Sequence, residues 1–310
     1  MKRRRSAQFY GRNRREAKHE YATEGGEEED PVEKKKEDQP SKATHPLHIG
    51  KARPDEPKEP QPQGAQLGIV PEISFRLLLS GPSNSGKTNA ARWIIDRYYK
   101  GTFERTILMS PTAKIDPVWK DLHGLKKKDR ITKLTIRPLK KLLKTQEAKV
   151  KKMGKRKAPK ILVIFDDTIG NHTFVNSPQF LQCFIRGRHF CVSLIVMTQS
   201  YVKLPRSVRL QATHVMLFPS FRSEIERLYE DHGPYQLSKK EWYSMVMQAC
   251  RKEGEEKWPF FYIDTTKPVE ERYRRCLYEI IPIDPDRAPT NERERKNKRP
   301  RLEAEEEQAI

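Results

Sequence analysis

Apolar residues in the central part of the chain alternate between short continuous runs and longer stretches with helical spacing. Several short runs are apolar at nearly every position, which is typical of strands buried on both faces of a parallel sheet. The pattern predicts strands at 74–81, 105–111, 133–138, 160–167, 192–199, 213–219 and 260–264. It predicts helices near 87–99, 139–152, 178–187, 222–232 and 238–252. Strands that alternate with helices favour a doubly wound α/β domain with a mostly parallel sheet.

Both ends of the chain lack this pattern. Residues 1–66 consist of blocks of like charge followed by a proline-rich piece, and residues 284–310 again mix basic and acidic runs. Such compositions bury too little apolar surface to offset the entropy lost on ordering. We therefore predict disordered charged tails at 1–66 and 284–310, on either side of one domain at 67–283.

The charge balance narrows the class of partner. The 310 residues include 62 Lys and Arg against 42 Asp and Glu, which gives a net charge of +20. This excess predicts a polyanionic partner, with nucleic acid as the first candidate and an anionic membrane surface as a weaker one. The basic runs KRRR and KNKRPR fit nuclear import signals or contacts to the DNA backbone, with a purely solubilising role as the alternative.

The cysteines and the apolar runs argue against a disulfide-stabilised, a membrane-spanning or a secreted protein. Cys183, Cys191, Cys250 and Cys276 form no CxxC pair and no zinc-like spacing, so we expect reduced thiols in an intracellular protein. No apolar run approaches the ~18 residues needed to cross a bilayer. The basic N-terminus lacks the apolar core of a secretory signal. We therefore expect no membrane association.

A phosphate-binding motif follows the first predicted strand. GPSNSGKT matches GxxxxGK[ST], with an apolar strand before it and a helical pattern after it. The glycines allow a tight turn whose N–H groups point at phosphate oxygens. A chance Gly/Ser turn is the alternative. The predicted phosphate-binding residues are Gly81, Pro82, Ser83, Asn84, Ser85, Gly86, Lys87, Thr88 and Asn89.

The lysine and threonine of this motif have distinct predicted roles. Lys87 stands at the start of a helix, where the macrodipole is already positive, so the site is suited to a strongly anionic ligand such as ATP. Lys87 would reach the β- and γ-phosphates, and the Thr88 hydroxyl would bind Mg²⁺.

Two adjacent acids end the most apolar predicted strand, in ILVIFDD. Neighbouring carboxylates at the end of a buried strand are unfavourable unless a cation neutralises them. Ligands of open α/β sheets bind at this edge, so we predict that Asp166 holds Mg²⁺ and that Asp167 polarises the attacking water. A helix cap or a loop pair is the alternative.

The strand VSLIVMTQ ends in Thr198 and Gln199. If this strand lies between the phosphate-loop strand and the aspartate strand, Gln199 faces the γ-phosphate and can orient water. A polar side chain that simply meets solvent is the alternative.

Phosphoryl transfer benefits from an arginine, which a neighbouring subunit can supply. The candidates are Arg186, Arg188, Arg206, Arg209, Arg222 and Arg227. Arg227 has Glu224 and Glu230 three residues to either side, so ordinary helix ion pairs explain it equally well. The very basic segment 144–160 is expected to be an exposed helix end and loop, which either contacts phosphates or is a solvated linker.

Taken in order, GPSNSGKT, ILVIFDD, RGRHFCVSLIVMTQS and LPRSVRLQATHVMLF resemble the FtsK–HerA superfamily of DNA-pumping ATPases, over residues 70 to 235. Within it, they are most similar to the viral genome-packaging ATPases of the poxvirus, virophage and Polinton type. The resemblance implies a RecA-like core, a homo-oligomeric ring that is often hexameric, and ATP-driven movement of double-stranded DNA into a preformed capsid. The resemblance also suggests Arg227 as the arginine finger, which would act on the ATP bound to a neighbouring subunit. Capsid proteins as partners, and a location in the host nucleus or the virion, are further expectations.

Two departures from the family pattern matter. Asp167 stands where cellular pumps commonly have Glu, and the segment 144–160 and both tails fall outside the pattern. Three alternatives to a packaging motor remain open: a replicative DNA helicase, a nucleoside or nucleotide kinase, and a DNA-binding structural protein with a degenerate nucleotide site.

Overall fold

The protein is described here from a computed structural model that covers residues 60–167 and 170–288. All the described residues belong to one compact unit of the chain, within Asp55–Ile310. Most of both predicted tails lies outside the described residues.

The described residues form nine strands and nine α-helices. The strands are β1 (Arg76–Ser80), β2 (Arg105–Met109), β3 (Leu125–Ile131), β4 (Ile161–Asp166), β5 (Val192–Thr198), β6 (His214–Leu217), β7 (Phe261–Asp264), β8 (Tyr273–Arg275) and β9 (Glu279–Ile280). The helices are α1 (Gln63–Gln66), α2 (Lys87–Tyr98), α3 (Ile136–Lys157), α4 (His172–Val175), α5 (Pro178–Arg186), α6 (Arg206–Arg209), α7 (Arg222–His232), α8 (Lys239–Ala249) and α9 (Val269–Arg272). Two 3₁₀ turns, Pro117–Trp119 and Gly187–Phe190, complete the described elements.

All nine strands belong to one sheet, in the order β3-β2-β4-β5-β1-β6-β7-β8-β9. The strands from β3 to β6 in this order pair in parallel, and β7, β8 and β9 continue the sheet antiparallel. The predicted mostly parallel α/β architecture is therefore confirmed.

Helices cover both faces of the sheet. Along β1, Leu78 belongs to one apolar cluster, while Leu77 and Leu79 belong to the other. Residues of α3, α5, α7 and α8 pack in the first cluster, and residues of α2 pack in the second. This double burial explains why β4 and β5 are apolar at most positions and why β1 has three consecutive leucines at its centre.

The strand predicted at 133–138 is wrong. The structure places β3 at Leu125–Ile131 and begins α3 at Ile136, with Pro138 in its first turn, where a proline is tolerated. β3 is the edge strand of the sheet, and its Lys126, Lys127 and Lys128 are exposed. Charged residues are common on edge strands, and because of them β3 lacks the apolar run from which the other strands were predicted.

Three other boundaries differ from the predictions. Ala65 of α1 packs in the apolar core, although residues up to 66 were assigned to a tail. Residues 284–288 are also described, and Arg287 forms an ion pair with Glu241. The helix predicted near 139–152 extends to Lys157, with a non-helical residue at Gly154, and residues 158–160 then form the loop that was expected in the basic segment 144–160.

Among the described residues, Cys183, Cys191, Cys250 and Cys276 form no disulfide. Within the described ranges, no helix has both the length and the apolar composition needed to cross a membrane.

Candidate active site

Three neighbouring parallel strands bring the predicted site residues to one edge of the sheet. β5 lies between β1 and β4, which is the arrangement on which the prediction for Gln199 depended. In register, Ser80 at the end of β1 lies beside Thr198, and Asp166 at the end of β4 lies beside Met197. The phosphate loop, the two aspartates and Gln199 therefore all follow strands that end side by side.

The phosphate loop is packed too closely for side chains at its two glycines. Gly86 has a φ of +96°, and it caps the start of α2 at Lys87. A Cβ atom on Gly81 would lie 2.7 Å from Cβ of Phe218, in the residue after β6. The Gly81 N–H also donates to the carbonyl of Thr198 over 3.2 Å, which ties the loop to the end of β5. These contacts explain why the motif requires glycine at both positions.

Lys87 reaches back over the loop. Its Nζ donates to the carbonyl oxygens of Gly81 and Pro82 at 2.7 Å each. Burial lowers the pKa of the Lys87 ammonium, and the charges of Asp166 and Asp167 act in the opposite direction. The ammonium is thus close enough to interact electrostatically with both aspartates, as the motif predicts.

Asp166 is a buried acid with an unfavourable charge. Its pKa is raised to about 6, chiefly by burial, and the neighbouring charges of Asp116 and Asp167 act in the same direction. Trp119 acts against this shift, because its Nε1 donates to Asp166 Oδ2 over 3.4 Å. A divalent cation bound here would stabilise the ionised carboxylate, so the residue fits the predicted metal role.

Asp167 and Gln199 contact each other directly. Gln199 Nε2 donates to Asp167 Oδ1 over 3.0 Å, and both side chains are exposed at the sheet edge. Asp167 adopts a left-handed conformation with a φ of +49°, which turns the chain sharply after β4. The amide and the carboxylate face solvent together, in a position where both can contact one water molecule.

The site contains polar partners that sequence reasoning missed. Trp119 lies in the 3₁₀ turn after β2, in a stretch with no recognisable motif. Glu224 of α7 is buried and accepts hydrogen bonds from Ser200 Oγ at 2.7 Å and from the Val202 N–H at 3.1 Å. It also accepts from the Tyr201 N–H. No local pattern marks either residue, because both partners are distant along the chain.

The candidate arginines are dispersed. Arg227 lies on α7, in the helix after β6, and pairs with Glu230 rather than with Glu224. Arg209 is buried and pairs with Asp231 at 2.6 Å, which gives it a structural role. Arg186 pairs with Glu147, and Arg222 pairs with Glu226. Among the described contacts, none joins Arg227 to the aspartates or to the phosphate loop.

Several solved structures resemble the chain at low identity. Two are of the packaging ATPase B204: that of Sulfolobus turreted icosahedral virus is 14% identical, with a TM-score of 0.46, over 68% of this chain and 99% of that one. That of Sulfolobus turreted icosahedral virus 2 in complex with ATP-γ-S is also 14% identical, with a TM-score of 0.43, over 67% and 98%. The cytoplasmic domain of the type VII secretion ATPase EccC from Thermomonospora curvata is 14% identical, with a TM-score of 0.47, over 72% and 27%.

These TM-scores lie below 0.5, so they do not assign the chain by themselves. No curated protein sequence matches it. The family model described as "Poxvirus A32 protein", however, matches residues 69–280, which include the phosphate loop, both aspartates, Gln199 and Arg227. The match confirms the predicted relationship to poxvirus-type genome-packaging ATPases, the P-loop fold and the ATPase class. The chain belongs to the poxvirus A32 protein family.

Proposed function

We propose that the protein is an ATP-driven translocase that moves double-stranded DNA into a preformed viral capsid. The observation that carries this proposal is the meeting of the phosphate loop, Asp166, Asp167 and Gln199 at one edge of the sheet. Such an arrangement suits the binding and hydrolysis of a nucleoside triphosphate.

Residues 81–89 are proposed to hold the polyphosphate. The N–H groups of the loop and of the first turn of α2 face the phosphate oxygens, and Lys87 adds a positive charge near the transferred group. Thr88, in the first turn of α2, and Asp166 are proposed to hold Mg²⁺. When bound, the cation offsets the charge that develops on the phosphate oxygens.

Asp167 and Gln199 are proposed to position the attacking water. The carboxylate accepts a hydrogen bond from the water, and the Gln199 amide fixes the carboxylate while its own oxygen stays available as a second acceptor. Arg227 is proposed to act on the site of a neighbouring subunit in a homo-oligomeric ring, since its described contacts within this chain do not reach the aspartates.

A basic surface is proposed as the DNA contact. α3 has ten Lys and Arg residues among its 22, and Glu147 is its one acidic residue. Glu147 already pairs with Lys151 and Arg186. Beside α3, Lys126, Lys127 and Lys128 of β3 are exposed, and a groove of about 730 Å³ separates the two elements. This surface, which we call the α3 basic face, is suited to the phosphates of a duplex.

The proposal is tested by ATP turnover with and without long linear duplex DNA, alongside sizing of the full chain in the presence of nucleotide. Stimulation by duplex DNA without strand separation, together with a ring-sized species, supports the packaging motor. Stimulation by single strands with unwinding indicates a helicase instead. Phosphate transfer to a nucleoside with no effect of DNA indicates a kinase.

The DNA surface has its own test. Arg137 and Lys141 are exposed on α3, one helical turn apart, and both line the groove. The double change Arg137→Gln and Lys141→Gln is expected to raise the DNA concentration for half-maximal stimulation and to flatten its salt dependence, because phosphate contacts release counterions. Lys239→Gln with Lys240→Gln, also exposed but on α8, is the matched control. Equal behaviour of the two pairs would remove the α3 basic face from the proposal.

We also propose capsid proteins as partners and the host nucleus as the location of the protein. The family supports the first proposal, and the basic runs near the two ends of the chain support the second.

A further inference from the structure

An exposed tryptophan lies directly against the phosphate loop. A Cβ atom on Gly86 would lie 2.3 Å from Cγ of Trp258 and 2.6 Å from its Cβ. Despite this contact, Trp258 remains 42% exposed. Single exposed apolar side chains are common on protein surfaces, so the exposure alone carries no argument. What distinguishes Trp258 is that its indole packs on the residue that begins the phosphate-binding helix.

The segment that presents Trp258 is held on both sides. After it, Phe260 is buried and packs against Phe218, the same residue that closes on Gly81 of the phosphate loop. Before it, Glu256 forms an ion pair with Arg275 of β8. The segment that carries the indole is therefore anchored beside the loop by contacts with Phe218 after β6 and with Arg275 of β8, and the exposed part of the indole faces solvent.

Trp258 stands on the opposite side of β1 from the acids. The aspartates and Gln199 follow β4 and β5, on one side of β1 in the sheet, whereas Trp258 precedes β7, on the other side. A triphosphate whose terminal phosphate faces the acids must direct its ribose and base away from them. The strand order thus places the base on the side of β1 where the indole lies.

We propose that Trp258 is the platform on which the base of the bound nucleoside triphosphate stacks. This inference rests on the proposed function, because it takes the phosphate loop as the nucleotide site. Stacking uses the flat face that every base possesses, so a tryptophan platform adds affinity without selecting one base by hydrogen bonds. The substrate class expected from Trp258 is therefore nucleoside triphosphates without selection of a single base, among them ATP and GTP.

Calorimetric titration of the full chain tests the platform. Magnesium ATP, magnesium GTP and, in competition with ATP, inorganic tripolyphosphate are titrated into the wild-type chain, Trp258→Ala and Trp258→Phe. Trp258→Ala is expected to weaken ATP and GTP about ten-fold and to leave tripolyphosphate within two-fold, since stacking on an aromatic side chain is worth that much per base. Trp258→Phe keeps an aromatic face and is expected to retain most of the affinity.

The matched control is Trp93→Ala. Trp93 is 49% exposed and lies on α2, where it packs edge-on against Tyr98. The Trp93→Ala variant is expected to bind all three ligands with the affinity of the wild-type chain. Circular dichroism and thermal melting confirm that each variant folds.

The outcomes separate this inference from the proposed function. Equal losses for ATP and tripolyphosphate in Trp258→Ala would assign the indole to support of Gly86 and overturn the platform. Unchanged ATP affinity in that variant overturns it as well, while the nucleotide site stands. Failure of the wild-type chain to bind magnesium ATP would overturn the proposed function itself and the platform with it.

Discussion

The side chain of Gln199 donates a hydrogen bond to Asp167 across two neighbouring strands, with 3.0 Å between Nε2 and Oδ1. The contact joins the end of β5 to the turn after β4, and both side chains remain exposed. A carboxylate held in this way has a defined orientation before substrate binds. This preorganisation is what a water-positioning acid requires.

The amide of Gln199 is therefore expected to matter for turnover more than for binding. Gln199→Ala should lower kcat about 100-fold, the usual scale for losing a positioned proton acceptor or its support, with ATP affinity within three-fold of wild type. Steady-state ATP hydrolysis and calorimetric ATP binding measure the two effects. A large loss of affinity with normal turnover would instead make Gln199 a binding residue.

A change at Asp167 is expected to affect turnover and ATP binding even more differently than a change at Gln199. Asp167→Asn keeps the size of the side chain and its contact with Gln199 but removes the base, so ATP binding should persist while turnover is lost. Lys87→Ala is the contrasting variant, because it removes the cation from the phosphate loop and should abolish nucleotide binding. Measurable hydrolysis by Asp167→Asn at wild-type rates would exclude this acid from catalysis.

The parts of the site that were predictable from sequence are those that follow one strand. The phosphate loop and the acids lie within a few residues of an apolar run, and the chemistry of glycine, lysine and paired carboxylates identifies them without knowledge of the sheet order. Gln199 needed one further condition, that β5 lies between β1 and β4, and the observed order meets it.

The parts that were missed depend on residues far apart in the chain. Trp119 reaches Asp166 from 47 positions away, and Glu224 reaches Ser200 from 24. Trp258 contacts Gly86 because β7, which follows Trp258 in the chain, lies next to β6 in the sheet. The error at β3 had a different cause: an edge strand needs charge on its exposed face, and that charge removed the apolar pattern.

Glu224 is expected to be a strong contributor to stability. Its carboxylate satisfies three donors of the loop 200–202, so Glu224→Ala would leave the buried Tyr201 N–H and the part-buried Val202 N–H unpaired, at a cost of about 2–4 kcal/mol. Urea denaturation measures the loss. Glu226→Ala on the same helix is the matched control, since Glu226 forms an exposed i,i+4 pair with Arg222 and should change stability by less than about 0.5 kcal/mol. Similar values for the two variants would contradict the assigned role of Glu224.

Arg227 is expected to act between subunits. Mixing Arg227→Ala chains with Lys87→Ala chains places some intact phosphate loops beside intact arginines, so part of the lost ATP turnover should return at intermediate ratios. Arg222→Ala replaces Arg227→Ala in the control mixture, because Arg222 is an exposed arginine of the same helix. If Arg227→Ala alone turns over ATP normally, or if no ratio restores activity, the arginine is an ordinary partner of Glu230.

His232 at the end of α7 is expected to make the fold sensitive to mild acid. Burial lowers the pKa of His232 to about 4, although the charge of Asp231 acts in the opposite direction, and its Nε2 is buried without a hydrogen-bond partner. The unfolded chain takes up this proton near pH 6.5, well before the folded chain does, so the free energy of unfolding falls as the pH drops from 6.5 towards 4.

The size and origin of this loss are measurable. At pH 5 the contribution of His232 amounts to about 1–2 kcal/mol relative to pH 7.5. The ring centroids of His232 and Tyr201 lie 6.4 Å apart. His232→Phe keeps a ring at this position, and the phenylalanine side chain cannot take up a proton. Urea denaturation of both chains at pH 7.5 and pH 5 should therefore show a smaller loss on acidification for the variant. An identical loss in the two chains would mean that other groups account for the acid sensitivity, because only the difference between them reports on this imidazole.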